Sequence, residues 1–328
     1  CFQPEHCEEL GDYWIEGQRF SLRGLVLPAV AAGYHRLVLN DGSRIEESQL
    51  IVTPQRCYSG PLNGDRTWGF TCQLYTLRSS RNWGIGDFAD LGELIDLAAD
   101  AGADVICLNP LHAPFCSDPE LVSPYSPSDR RFLNPLYIAP DLVAEYGPAV
   151  VGLIPDLDDR LSRLRASDLV DYDEVSGLKF QVLRLLYDAF TTSRSSGDAG
   201  TQDPFGVVLV QGGADLQTFC EHELSSNRYL QDGEDWQFVA YLQWLAAAQL
   251  QACQDRANAA GMKIGLMRDL AVGAVAGGNE VSSQPAMFVP EVSVGAPPDP
   301  FSDHGQDWGL PPINPVAQRQ GLFAHFIQ

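Results

Sequence analysis

Trp68-Gly-Phe-Thr-Cys-Gln-Leu-Tyr-Thr-Leu77, Phe88-Ala-Asp-Leu-Gly-Glu-Leu-Ile-Asp-Leu-Ala-Ala-Asp-Ala-Gly102 and Val105-Ile-Cys-Leu108 follow one another along the chain. The first alternates, with Phe70, Cys72 and Leu74 on one face, as a half-buried strand does. The second repeats apolar side chains at Phe88, Leu91, Leu94 (or Ile95) and Ala98, the spacing of one helix face. Asp87 stands where a carboxylate caps the first turn, and Gly102 where the chain leaves the helix. The third is apolar throughout, which predicts a strand covered on both faces. Strand, helix and strand in this order make a βαβ crossover, so the two strands should run parallel.

Downstream, Pro110–Pro140 reads as a long Pro-rich loop leaving the carboxyl end of the second strand. Residues 141–235 read as a mainly helical insertion, with Asp173–Phe190 its clearest helix. Trp236–Ala260 carries Phe238, Leu242, Leu245 and Leu250 at helical spacing, and Lys263–Val272 returns as a third strand. Parallel strands with long loops at their carboxyl ends predict an α/β fold, an incomplete (β/α)8 TIM barrel over residues 68–328. Upstream, residues 1–56 hold the β-rich runs Tyr13-Trp14-Ile15, Arg19–Leu27, Gly33–Asn40 and Gln49–Thr53. Asn40-Asp41-Gly42-Ser43 is a hairpin signal between two of them. A small β-sandwich-like domain is expected there, with its first strands preceding Cys1, joined to the barrel by a linker over residues 57–67.

The 328 residues carry a formal net charge of −22, and Lys179 and Lys263 are the only lysines. Such an acidic balance argues against nucleic acid or an anionic membrane as partner and fits a neutral substrate or simple solubility. The eight cysteines form no Cys-x-x-Cys pair; Cys72 and Cys107 read as small buried core residues. His-Glu-x-x-His and phosphate-loop motifs are absent, and Gly84-Ile85-Gly86 lacks the third glycine of a dinucleotide fingerprint, so neither metal nor cofactor is expected. No leader-like segment or long apolar run appears, which predicts a cytoplasmic protein.

The densest functional signal is Gly-Ala-Pro-Pro-Asp (295–299) with Gly-Gln-Asp-Trp-Gly-Leu-Pro-Pro (305–312). Asp299, Gln306 and Trp308 are the groups that hold a sugar: carboxylate and amide bond hydroxyls, and an indole stacks on the ring. Trp308 could instead plug the loop onto the fold. Asp269 ends the third strand, where a carboxylate binds sugar hydroxyls, orients a catalytic partner, or pairs with Arg268. Tyr125, in Ser123-Pro124-Tyr125-Ser126-Pro127, offers a second aromatic platform or merely packs its loop. His112 reads as a hydrogen-bonded structural histidine.

Ser80-Arg81-Asn82-Trp83-Gly84-Ile85-Gly86-Asp87-Phe88, Asn109-Pro110-Leu111-His112-Ala113, Ser123–Ser128, Arg268-Asp269-Leu270-Ala271-Val272-Gly273 and the 295–312 pair together resemble the amylomaltases. These are 4-α-glucanotransferases of glycoside hydrolase family 77, in the α-amylase clan; the likeness runs from about residue 20 to the end. The resemblance implies transfer of α-1,4-glucan segments between maltooligosaccharides by a retaining double displacement, with two carboxyl groups roughly 5–5.5 Å apart. It makes Tyr125, Asp269, Asp299, Gln306 and Trp308 glucan-contacting residues. The family's nucleophile Asp, in an Arg-Ile-Asp-His motif, and its acid/base Glu are expected beyond Gln328, so the chain alone is expected to be inactive. Ser282 stands where relatives tend to carry Trp. Two other readings stay open: a non-catalytic glucan-binding fragment, and an α-amylase-clan hydrolase.

Overall fold

In the computed structural model the described residues are 7–15, 18–25, 30–40, 42–43, 45–57, 60, 66–118, 120–195, 203–230 and 233–327. They divide into two compact units, Cys1–Gly60 with Pro315–Gln328, and Pro61–Asn314.

The first unit contains two antiparallel hairpins, β1 (Cys7–Ile15) with β2 (Gln18–Leu25) and β3 (Gly33–Asn40) with β4 (Ile45–Val52). Asp41 of the expected β3–β4 turn, and most of the expected linker, lie outside the described residues.

The second unit is built on a parallel sheet, in the order β5 (Gly69–Cys72), β6 (Val105–Leu108), β9 (Gly265–Arg268). Helix α1 (Phe88–Asp100) makes the crossover from β5 to β6. Asp87 caps it as expected: its Oδ1 accepts from Ala89 N (3.0 Å) and Asp90 N (3.2 Å), while Asp90 Oδ2 accepts from Asp87 N (3.0 Å). The entry turn needs Gly86, because a Cβ there would lie 2.0 Å from the Leu74 carbonyl oxygen. Ile106 and Leu108 face the core with Phe88, Leu91 and Ile95, each at most 3 % exposed. Fully burying such side chains stabilises the fold by roughly 1.5–3 kcal/mol apiece.

Several sequence expectations change here. Strand β5 ends at Cys72 rather than continuing to Leu77, because Asn109 Oδ1 takes the Leu74 N–H (2.8 Å) and a 3₁₀ turn follows over Leu74–Thr76. Strand β6 is not covered on both faces: Val105 and Cys107 are only half-buried. Cys72 is likewise half-buried. Strand β9 is four residues long, since the Ala271 N–H is taken by His112 and not by a neighbouring strand. The presumed loop Pro110–Pro140 holds a bulged hairpin, β7 (His112–Pro114) with β8 (Pro127–Leu133). The presumed loop 295–312 holds another, β10 (Val294–Ala296) with β11 (Gln306–Leu310).

Between β8 and β9 come α2 (Pro148–Val151), α3 (Leu157–Ala166), α4 (Tyr172–Ser195), α5 (Pro204–Ser226, broken at Gly213) and α6 (Trp236–Ala259). Helices α4, α5 and α6 share an aromatic cluster of Phe190, Phe205, Tyr241 and Trp244, with ring centroids 5.0–6.1 Å apart. Phe132 of β8 stacks on Phe219 of α5 at 3.9 Å. Short α7 (Asn279–Ser283) follows β9, and α8 (Pro315–Gln320) and α9 (Ala324–Ile327) belong to the first unit. Among the described residues no helix is long and apolar enough to cross a membrane.

Candidate functional site

Three chain segments leave the carboxyl ends of β5, β6 and β9, and hydrogen bonds tie them together. Asn109, just past β6, accepts from Leu74 past β5 and donates to the Pro110 carbonyl (2.7 Å) and to Tyr137 Oη (3.3 Å). Asp269, just past β9, donates its backbone N–H to the Leu108 carbonyl at 3.1 Å. Its carboxylate is therefore carried on backbone that the sheet itself fixes.

The Tyr125 phenol lies close enough to that carboxylate to feel its charge. Desolvation, and then the Asp269 charge, hold the phenol above its ordinary range, so Tyr125 keeps its proton. The ring is 48 % exposed, which leaves a face for a ligand. Gln306 and Trp308, two apart on β11, share one side of the strand, and Trp308 Nε1 donates to Gln306 Oε1 at 2.9 Å. That bond uses the amide's acceptor and keeps its NH2 as a donor, beside an indole 42 % exposed. Leu310, at the root of β11, is buried next to Gly273 of the segment that follows Asp269.

Asp299 does something sequence reading did not foresee. Its Oδ1 accepts from Phe301 N (2.8 Å) and Ser302 N (2.9 Å), closing a turn with the Asp299–Ser302 backbone pair. One carboxylate oxygen thus shapes the loop. The structure brings Tyr125 to Asp269 and Trp308 to Gln306, on two different segments. The surface they offer is open: polar groups and two partly exposed rings suit a polyhydroxylated, uncharged ligand.

Of the residues that hold this surface, sequence reading took His112 for a hydrogen-bonded structural histidine, which the structure bears out, and passed over Arg130. His112 Nε2 accepts the Ala271 N–H at 3.3 Å, which assigns the ring proton to Nδ1. Burial, and then the charge of Arg130, push the His112 pKa down to about 4. Because the folded value lies below the ordinary 6.5, the neutral ring stabilises the fold above about pH 6.5. That contribution, on the order of 2 kcal/mol, is lost as pH falls through about 4. His112→Gln keeps an acceptor that does not titrate. Its stability curve, measured by urea unfolding, is expected to fall less than the parent's between pH 6.5 and 4; parallel curves would refute this.

Comparison with known proteins places these features. The sequence profile of glycoside hydrolase family 77, described as 4-alpha-glucanotransferase, matches residues 72–228 and 213–328. The chain is 36 % identical to the 4-alpha-glucanotransferase of Haemophilus influenzae over 94 % of its own length and 49 % of the relative's. It is 32 % identical to that of Mycobacterium tuberculosis, over 92 % and 45 % respectively. It superposes on the amylomaltase of Corynebacterium glutamicum with a TM-score of 0.75 and 32 % identity, covering 98 % of this chain and 47 % of that one. The fold is shared with the amylomaltase from Streptococcus agalactiae in complex with acarbose, at a TM-score of 0.63 and 21 % identity, over 80 % of this chain and 56 % of that one. The chain spans about half the length of the relatives it matches. From the Asn109 brace to the Trp308 hairpin, the motifs fall within the matched residues, and the chain belongs to the 4-alpha-glucanotransferase family, glycoside hydrolase family 77.

Proposed function

We propose that residues 61–314 form the first part of a (β/α)8 barrel, with the helices of 141–235 as an insertion, and that its strand-end surface grips an α-1,4-glucan. In this reading Asp269 and Tyr125 hold the hydroxyls of one glucose unit. Trp308 stacks on a neighbouring ring, Gln306 bonds its hydroxyls, and Asp299 shapes the loop that joins β10 to β11. The observation that carries the reading is the half-exposed Tyr125 ring set beside the Asp269 carboxylate, whose backbone is tied to β6 at the carboxyl end of β9. It joins an aromatic face to a charge-assisted acceptor, the combination a pyranose ring requires.

None of the residues of this surface is given a bond-breaking role in this reading; their part is to hold the glucan. Calorimetric titration with maltotetraose is expected to show binding that Asp269→Ala abolishes and Tyr125→Phe weakens. Equal affinity of the parent and Asp269→Ala would sink the assignment of this surface.

A further inference from the structure

Ser128-Asp129-Arg130-Arg131 on β8 is a charged run that the glucan reading leaves unused. It is not a solvated face. The Arg130 side chain is 5 % exposed and that of its partner Glu280, on α7, 1 %. Arg130 Nη2 donates to Glu280 Oε1 at 2.5 Å, its Nε contacts both carboxylate oxygens (3.0 and 3.1 Å), and its backbone N–H reaches Oε2 at 2.8 Å. The remaining arm, Nη1, donates to the carbonyls of Ala271 (3.2 Å) and Val272 (3.3 Å). His112, on β7, accepts the Ala271 N–H.

Both polar backbone atoms of Ala271, two residues beyond Asp269, are therefore held by the β7–β8 hairpin. On its other side Asp269 is fixed by its N–H to Leu108. Burying an ion pair is costly and contributes little net stability compared with apolar packing, so a pair this well enclosed calls for another role. Here the role is visible: Glu280 fixes the plane of the guanidinium, and the guanidinium fixes the backbone that carries the Asp269 carboxylate.

We propose that Arg130, Glu280 and His112 are positioning residues for Asp269, setting glucan affinity without touching the glucan. This rests on the assignment of Asp269 to the glucan surface. Lysine at 130 keeps the charge but gathers its donors on one nitrogen, and so cannot reproduce the planar fork that reaches Glu280 from Nε and Nη2 and the two carbonyls from Nη1. His112→Phe removes the acceptor for Ala271 N–H, and His112→Gln restores one.

The test is calorimetric titration of the 328-residue chain and its variants with maltotetraose, with urea unfolding in parallel. Arg130→Lys and His112→Phe are each expected to raise Kd about tenfold, and His112→Gln to recover most of that loss. The decisive readout is coupling in a background where the carboxylate is impaired but binding is still measurable, Asp269→Asn. If Arg130 acts through Asp269, adding Arg130→Lys to Asp269→Asn changes Kd little further. Multiplicative losses in the double variant would overturn the positioning role, as would Arg130→Lys and His112→Phe binding like the parent. Should Arg130→Lys fail to fold, the His112→Phe and His112→Gln pair, each combined with Asp269→Asn, decides alone. Equal affinity of Asp269→Ala and the parent would instead refute the underlying glucan assignment.

Discussion

Lys179→Met is expected to destabilise the chain by about 3–5 kcal/mol, the range found when one partner of a buried ion pair is removed. Lys179 is fully buried. Its Nζ donates to the carbonyls of Leu136 (2.6 Å) and Ile138 (2.8 Å) and lies 4.0 Å from Asp87 Oδ2. Burial pushes the ammonium down to about 8, so at neutral pH it still carries its proton. Asp87 cannot be spared, because its other oxygen caps α1 and pairs with Arg81. Methionine would fill the space and leave two buried carbonyls and a buried carboxylate short of a donor. In a unit of this size the loss corresponds to a fall in the thermal midpoint of about 10 °C. Lys263, the other lysine, is exposed, and Lys263→Met is expected to shift stability by no more than about 0.5 kcal/mol. Near-equal effects of the two substitutions would show that the buried ammonium carries no special share of the stability.

Nothing in the sequence distinguishes these two lysines, and the contrast shows what local pattern can and cannot reveal. The βαβ crossover was legible because its signals are local: the Asp87 cap, the spacing of Phe88, Leu91 and Ala98, and the apolar run at Val105–Leu108 all lie within a short span. The hairpins β7–β8 and β10–β11 were not. Their short strands contain or adjoin prolines and are interrupted by bulges, which erase the alternation that marks a strand. Asp269, Tyr125, Gln306 and Trp308 could be picked out by residue type and position. Asp299's turn-closing bonds and the Arg130–Glu280 pair could not, since the second joins residues 150 positions apart. Lys179 is hidden for the same reason: its partners are carbonyls some 40 residues upstream, which sequence does not mark.

Gly295→Ala is expected to remove glucan affinity while leaving the core folded. A Cβ at position 295 would lie 2.0 Å from the Gln306 carbonyl oxygen and 3.1 Å from its carbon, which is backbone and cannot rotate away. Gly295 pairs with Asp307, and Ala296 with Gln306, so the two strands must separate where Gln306 and Trp308 are presented. The hairpin has only three register pairs, and four of the five residues of β11 are exposed, so little packing opposes that separation. The global cost is therefore held near the lower part of the roughly 1–3 kcal/mol usual for overpacking, while the Trp308–Gln306 pair is displaced from the Asp269 side. Maltotetraose affinity should fall at least about tenfold, with the urea midpoint nearly unchanged. Gly309 is the informative contrast. Its φ of +67° disfavours any side chain, but a Cβ there meets nothing within 4 Å. Gly309→Ala should then cost about 1 kcal/mol of strain and leave the hairpin in register, with affinity close to the parent's. If Gly295→Ala binds maltotetraose as tightly as Gly309→Ala does, the hairpin is not part of the glucan surface, and Asp269 with Tyr125 must hold the sugar without it.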